Sequence, residues 1–190
     1  MNKGLYASAI FLGLVAGSVF AEQPSYSYLE AGYTNVSFTD SDTDGPGYVV
    51  RGSFDFGNSF YVTGSNSQVS FDVGFGDLEY RTLKLGVGAK TAMTDNTSLF
   101  IEANYLNVSF DLLEFSDSDN GYTLSTGVRS MLTENTELYA NITHENVQAS
   151  NTVLGFGVRQ NLTEQLGLFA EYTRDDSETN SYSVGASFKF

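Results

Sequence analysis

Three short polar turns recur along this chain with the same flanks on either side, and that repeat restricts the fold more than any other feature. The turns are Thr94-Asp95-Asn96-Thr97, Thr133-Glu134-Asn135-Thr136 and Thr163-Glu164-Gln165-Leu166. They are preceded by LGVGAKTAM, STGVRSML and GFGVRQNL, and followed by SLFIEAN, ELYANIT and GLFAEYT. A weaker fourth copy, FDFGNSFYVTGS, centres on Gly57-Asn58. Within each flank apolar and polar residues alternate with a period of two, the period of a strand whose side chains point to opposite faces. Each copy therefore reads as a hairpin, and hairpins repeated in chain order lay strands side by side. The segments predict ten strands, over 26–38, 47–57, 59–71, 79–92, 98–110, 121–132, 137–149, 151–161, 166–175 and 180–190. Eight is the alternative if two weak segments merge into loops. An even count puts both ends of the sheet on the short-turn side.

Overlaying the copies separates two faces. Leu83, Leu85, Val87 and Ala89 match Leu124, Thr126 and Val128, and also Leu154, Phe156 and Val158. On the partner strands Leu99, Ile101 and Ala103 match Leu138, Ala140 and Ile142, then Leu168, Ala170 and Tyr172. The intervening set is polar, charged or glycine: Lys84, Gly86, Gly88 and Lys90, with their counterparts through Arg129 and Arg159. In a soluble sandwich the apolar face packs within; in a transmembrane barrel it faces lipid and the polar face lines the lumen. Lys90, Arg129, Arg159 and Lys189 recur at one depth near the short-turn end. The repeat sets Lys90 opposite Glu102 and Arg159 opposite Glu171, with Arg129 facing Asn141. A narrow lumen holds such charges only as pairs, so these residues form the expected lumenal charge network. Tyr48, Tyr105, Tyr122, Tyr172 and Tyr182 are expected in one interfacial belt, and Phe56, Phe60, Phe188 and Phe190 in the other.

Between the hairpins the connections are longer and rich in Asp and Glu. Short turns alternating with longer loops suit a barrel with one periplasmic and one external rim. The composition agrees: charged residues are 17% of the chain, against about 25% in soluble domains. With 9 Lys+Arg against 23 Asp+Glu, nucleic acid is excluded as a partner, because phosphate binding needs clustered cations. The absence of Cys removes disulfides, thiolate metal sites and Cys nucleophiles. Residues 1–21 read as a secretory signal, with Lys3 in a basic n-region, an apolar run from Leu5 to Val15, and Val19-Phe20-Ala21 as the small-x-small cleavage pattern. Residues 22–190 are then the barrel domain.

The signal segment, the barrel length and a last strand ending Phe188-Lys189-Phe190 resemble small bacterial outer-membrane β-barrels of the OmpA-like type. In that superfamily alternating aromatics leading to a terminal Phe are read by the outer-membrane assembly machinery. The resemblance assigns that role to Tyr182, Val184, Phe188 and Phe190. More narrowly, SYSYLEAGY, DTDGPGYVVRGS and GYTLSTGVRSMLTENTELYANI are similar to a proteobacterial outer-membrane family also described as a secreted quorum or immune-activating factor. These motifs are structural, so they imply an up-and-down antiparallel transmembrane barrel in the outer membrane and carry little about activity. Lipid, lipopolysaccharide and the assembly machinery are the implied partners, and the barrel is expected as a monomer. No peptidoglycan-binding domain is expected beyond it.

Catalysis is not expected. The single His, His144, lies beside Glu145 in the seventh strand, on the outer face near the long-loop rim, without the serine and orienting acid that a catalytic His needs. Asp40, Asp42 and Asp44 look like half of a calcium loop, but the twelfth position, where a bidentate Glu belongs, is Arg51. They are a weak divalent-ion candidate, and no cofactor is expected. The sequence leaves a non-catalytic structural or surface-interaction barrel, with a secreted or vesicle-borne signalling factor and a small porin-like channel as alternatives. Ten strands enclose a lumen that side chains nearly fill.

Overall fold

A computed structural model describes residues 22–39, 44–74, 76–113 and 115–190. The expected signal segment, Asp40 and Asp42 lie outside the described residues. Ten strands are formed: β1 (Tyr28–Phe38), β2 (Asp44–Phe56), β3 (Phe60–Asp72), β4 (Asp77–Thr94), β5 (Thr97–Leu112), β6 (Phe115–Met131), β7 (Thr136–Asn146), β8 (Ser150–Asn161), β9 (Leu166–Asp175) and β10 (Thr179–Lys189). Each pairs antiparallel with its neighbours in sequence, and β1 closes against β10 from Tyr28↔Lys189 to Phe38↔Thr179. Closure leaves no free sheet edge, so every strand finds ladder partners on both sides.

The recurring threonines explain the short turns. The Thr133 hydroxyl accepts the backbone N–H groups of Asn135 and Thr136 at 3.2 and 3.0 Å. Thr163 does the same for Gln165 and Leu166, at 3.3 and 2.9 Å. A hydroxyl that folds back on the chain two and three residues ahead makes a compact turn without glycine. The first copy differs: Asn96 carries the contacts there, accepting from Thr94 and donating to the Met131 carbonyl across the β5–β6 pair.

Alternation sorts the side chains as the repeat predicts. Leu85, Val87, Ile101, Leu124 and Leu154 stand exposed on the outer wall. Inside, Glu30 is 1% exposed, Arg129 4% and Arg159 6%. That is inside-out relative to a soluble sandwich and right for a wall solvated by lipid. Both aromatic belts form: Tyr48, Tyr105, Tyr122 and Tyr182 are exposed toward the long-loop end, while Phe54, Phe56, Phe60, Phe188 and Phe190 ring the short-turn end. Phe56 stacks on Phe60 at 6.0 Å and Phe54 on Phe190 at 6.1 Å. From Tyr182 to Phe190, at ~3.3 Å per residue and a tilt of about 40°, the wall rises ~20 Å, close to a lipid-facing band.

The structure departs from the expected boundaries where β4, β5 and β6 continue past the belt. The acidic stretch around 111–120, expected as a loop, is paired strand, with Asp111↔Ser116 and Asn107↔Asn120 in register. Beyond the belt both faces meet water, so no hydrophobic alternation marks the strand. Beyond the Leu112↔Phe115 pair the chain reverses, and Leu113 there adopts φ 54°, the left-handed conformation common in tight hairpin turns.

Candidate functional site

Inside the short-turn half, six charged side chains from six strands form one continuous ladder across the lumen. Arg129 on β6 donates to both carboxylate oxygens of Glu137 on β7, at 2.7 and 3.0 Å. Arg159 on β8 donates to Glu137 at 2.7 Å and to Glu30 on β1 at 2.6 Å. Arg51 on β2 then links Glu30, at 2.6 Å, to Glu171 on β9, at 2.7 Å. The order is Arg129–Glu137–Arg159–Glu30–Arg51–Glu171, cations and anions alternating so that the ladder is neutral. Each buried charge thus has its opposite within hydrogen-bond distance, the condition for keeping ions out of water at tolerable cost.

Aromatic rings fill the space between the rungs. The Arg129 guanidinium lies 4.0 Å from the Tyr26 ring centre, Arg159 4.4 Å from Tyr28 and 4.5 Å from Tyr139, and Arg51 4.8 Å from Phe169. The Tyr139 hydroxyl accepts from Arg51 at 2.9 Å and donates to Glu171 at 2.8 Å. Tyr61 donates to Glu102 at 2.9 Å. These two rings lie over glycines: a Cβ on Gly157 would stand 2.1 Å from the Tyr139 ring, and one on Gly88 2.1 Å from Tyr61. At these two positions the lumenal glycines make room for tyrosines. Residues 22–27 turn into the mouth of the barrel, where Tyr26 packs against Tyr61 at 4.6 Å and Phe100 at 6.3 Å. Its hydroxyl meets Ser98 at 2.9 Å, and the Ser25 carbonyl accepts from Arg129 at 2.7 Å.

The expected network is realised with different partners. Arg129, Arg159 and Glu171 stand on the ladder, but Arg159 does not pair with Glu171: it faces Phe169 in register, and Glu171 faces Gly157. Lys90 faces Phe100 rather than Glu102 and reaches Asp55 on β2 at 2.5 Å. Arg129 faces Tyr139, not Asn141. Every hairpin register is shifted by two residues from the one the repeat suggests. A two-residue shift keeps each side chain on its face, which is why the faces were read correctly and the partners were not. Glu102 lies by Tyr61, outside the ladder, and Lys189 makes no ion pair with any described residue. Glu30, Arg51, Asp55 and Glu137 were missed; Glu30, Arg51 and Asp55 sit on the inward phase of β1 and β2, where no clear repeat drew attention.

The long-loop half of the lumen is built differently. Above the ladder lies a polar chamber of about 220 Å³ lined by Glu102, Asn104, Thr123, Ser125, Asn141 and Thr143. Above that is a cavity of about 540 Å³ with Val36, Val69, Phe71, Leu106, Val108 and Val153 in its wall. Lys84 and Glu145 line both and bridge at 2.5 Å where the two meet.

A family model described as outer membrane protein beta-barrel domain matches residues 7–190. The chain belongs to that family. No curated protein sequence matches this outer-membrane barrel significantly. Among solved structures, the barrel is similar to the KdgM porin in complex with disordered oligogalacturonate, at 13% identity over 85% of this chain and 99% of that one, with a TM-score of 0.54. The NanC porin aligns at 15% identity over 86% of this chain and all of that one, also with a TM-score of 0.54. The outer membrane protein OprG from Pseudomonas aeruginosa aligns at 11% identity over 90% of this chain and 98% of that one, with a TM-score of 0.48. At such identities the likeness concerns the fold.

Two further residues of interest lie apart from the lumen site of this outer-membrane barrel. His144 faces outward, its ring 6.3 Å from Tyr122, while Glu145 beside it points inward to Lys84. Successive strand residues face opposite ways, so this His–Glu neighbour pair is not a dyad. Asp44 begins β2 and is exposed; among the described residues no group of three or more His, Cys, Asp or Glu is arranged to hold a metal ion.

Proposed function

We propose that this protein is a closed, non-catalytic outer-membrane barrel whose work lies in the envelope structure and in interactions at its long-loop rim, which faces outward. The Arg129-to-Glu171 ladder carries this reading, because a neutral, hydrogen-bonded chain of ions packed with tyrosines crosses the lumen of the short-turn half and takes up room that an aqueous path would need. The expected experiment is a planar-bilayer recording of the purified barrel, with no steady conductance as the supporting result. Steady, salt-dependent channels of uniform size would favour the small-porin reading instead. The exposed Leu, Val and Phe band argues against a secreted soluble factor, since apolar surface on that scale seeks lipid or a partner. Fractionation distinguishes the two: a heat-modifiable band in the outer-membrane fraction supports the barrel, and a soluble species without a mobility shift supports the secreted factor.

Lipid and lipopolysaccharide as surroundings, a monomeric state, and recognition of the last strand by the assembly machinery belong to the same proposal. Tyr182, Val184 and Phe188 share the outward face of β10, and Phe190, exposed just after it, lies 6.2 Å from Phe188. Phe190→Ser is expected to lower the amount of folded protein in the outer membrane; unchanged levels would count against the role given to this residue.

A further inference from the structure

We infer that the cavity at the long-loop end is a binding site for an amphiphile with an aliphatic body and an amine at its polar end. The lumen wall of a membrane barrel is ordinarily polar. Here Val36 on β1, Val69 and Phe71 on β3, Leu106 and Val108 on β5 and Val153 on β8 all face one cavity, yet leave about 540 Å³ unfilled. Much of the rest of the lining is polar, including Ser67, Thr82, Asn151 and Thr173, and a cavity of that volume with an apolar side and a polar side suits an amphiphile rather than a packed core. The wall is held ready: the Phe71 ring packs against Phe38 at 5.5 Å, and it lies so close to Gly45 that a Cβ there would come within 2.4 Å of it. A preformed wall saves the ordering cost of binding.

The charges around the cavity choose the polar end. Lys84 is taken up by Glu145. Asp175 also lines the cavity, holds the backbone N–H of Thr179 at 2.7 Å and the Asn151 amide at 3.1 Å, and has no cationic partner among the described residues. A fatty carboxylate entering here meets an unpaired carboxylate and a chain of net charge −14; an amine meets its counter-ion and is drawn in by the same field. The ladder below stops the ligand, so the site binds rather than conducts. Only this last point rests on the closed-barrel reading.

The chain contains no Trp, so one introduced Trp reports without background. Tyr80→Trp places it in the cavity wall, and Tyr182→Trp places it on the outer wall as a control. Both are refolded in phosphatidylcholine vesicles, checked by the fast-running unheated band, and titrated with 10-bromodecylamine and 10-bromodecanoate. The expected result is saturable quenching of Tyr80→Trp by the amine, at a half-saturation at least tenfold lower than with the carboxylate. Tyr182→Trp is expected to show only gradual quenching by partition. In the Tyr80→Trp background, Val69→Thr with Val108→Thr is expected to raise the half-saturation at least fivefold, and Asp175→Asn to erase the preference for the amine. Equal, non-saturating quenching at both reporters overturns the site, as does saturable quenching that neither set of substitutions changes. Saturable quenching with no preference between amine and carboxylate overturns the choice of ligand. If the double substitution does not fold, Asp175→Asn alone decides. Saturable quenching in a barrel that also conducts would keep the site and remove the closed-barrel reading.

Discussion

The two halves of this lumen obey the same alternation rule and end up with opposite contents. In the short-turn half the inward residues are long, charged and mutually paired, and tyrosines close the gaps over glycines. In the long-loop half the inward residues are mostly compact, a polar set below and a mixed apolar and polar set above, and they surround open space. A barrel cross-section can thus be held either by ions that reach across it or by a wall stiff enough to stand alone. Reaching across fills the section with paired charge. Standing alone leaves open space.

Substitutions test how far the halves differ. The largest effect is expected from Glu30→Gln, which takes a shared carboxylate from both Arg51 and Arg159. Breaking a buried ion pair on one side costs about 3–5 kcal/mol, read as a lower urea midpoint for unfolding from detergent micelles. A change below about 1 kcal/mol would mean that water reaches the ladder. Tyr139→Phe comes next. It removes a hydroxyl bonded to Arg51 and Glu171, and a hydrogen bond to a charged group is worth about 1.5–3 kcal/mol. In the long-loop half, Val69→Thr is expected to cost about 1 kcal/mol, the lower range for placing a hydroxyl in a partly apolar site, because the cavity lets water meet it. A loss as large as that of Glu30→Gln would make this half a packed core. Smallest of all, Arg81→Ala on the outer wall removes an exposed bridge to Glu79, and such pairs contribute about 0–1 kcal/mol.

Legibility in the sequence follows the same division. The hairpin copies from Leu85 to Thr173 reveal turn positions and faces, because both depend on residues a few positions apart. The charges at Arg129, Arg159 and Glu171 could be read as inward and in need of partners. Their partners could not, since Glu30 lies 129 residues from Arg159 and Glu171 120 residues from Arg51. The strands beyond the belt, such as 115–120, gave no periodic signal because water covers both of their faces. The apolar wall of the upper cavity was also missed: Val69, Leu106 and Val153 come from separate hairpins, and each alone is an ordinary strand residue.

Sequence alone determined that this chain forms an up-and-down barrel with an apolar exterior and a charged interior. A period of two and a repeated turn are local, and a slip of two residues leaves them unchanged. Only the tertiary structure decided which charges meet and where the lumen keeps open space. Those outcomes depend on the final register and on closing β1 against β10, which pairs the first and last strands side by side and so encloses a lumen narrow enough for arginines to link distant strands.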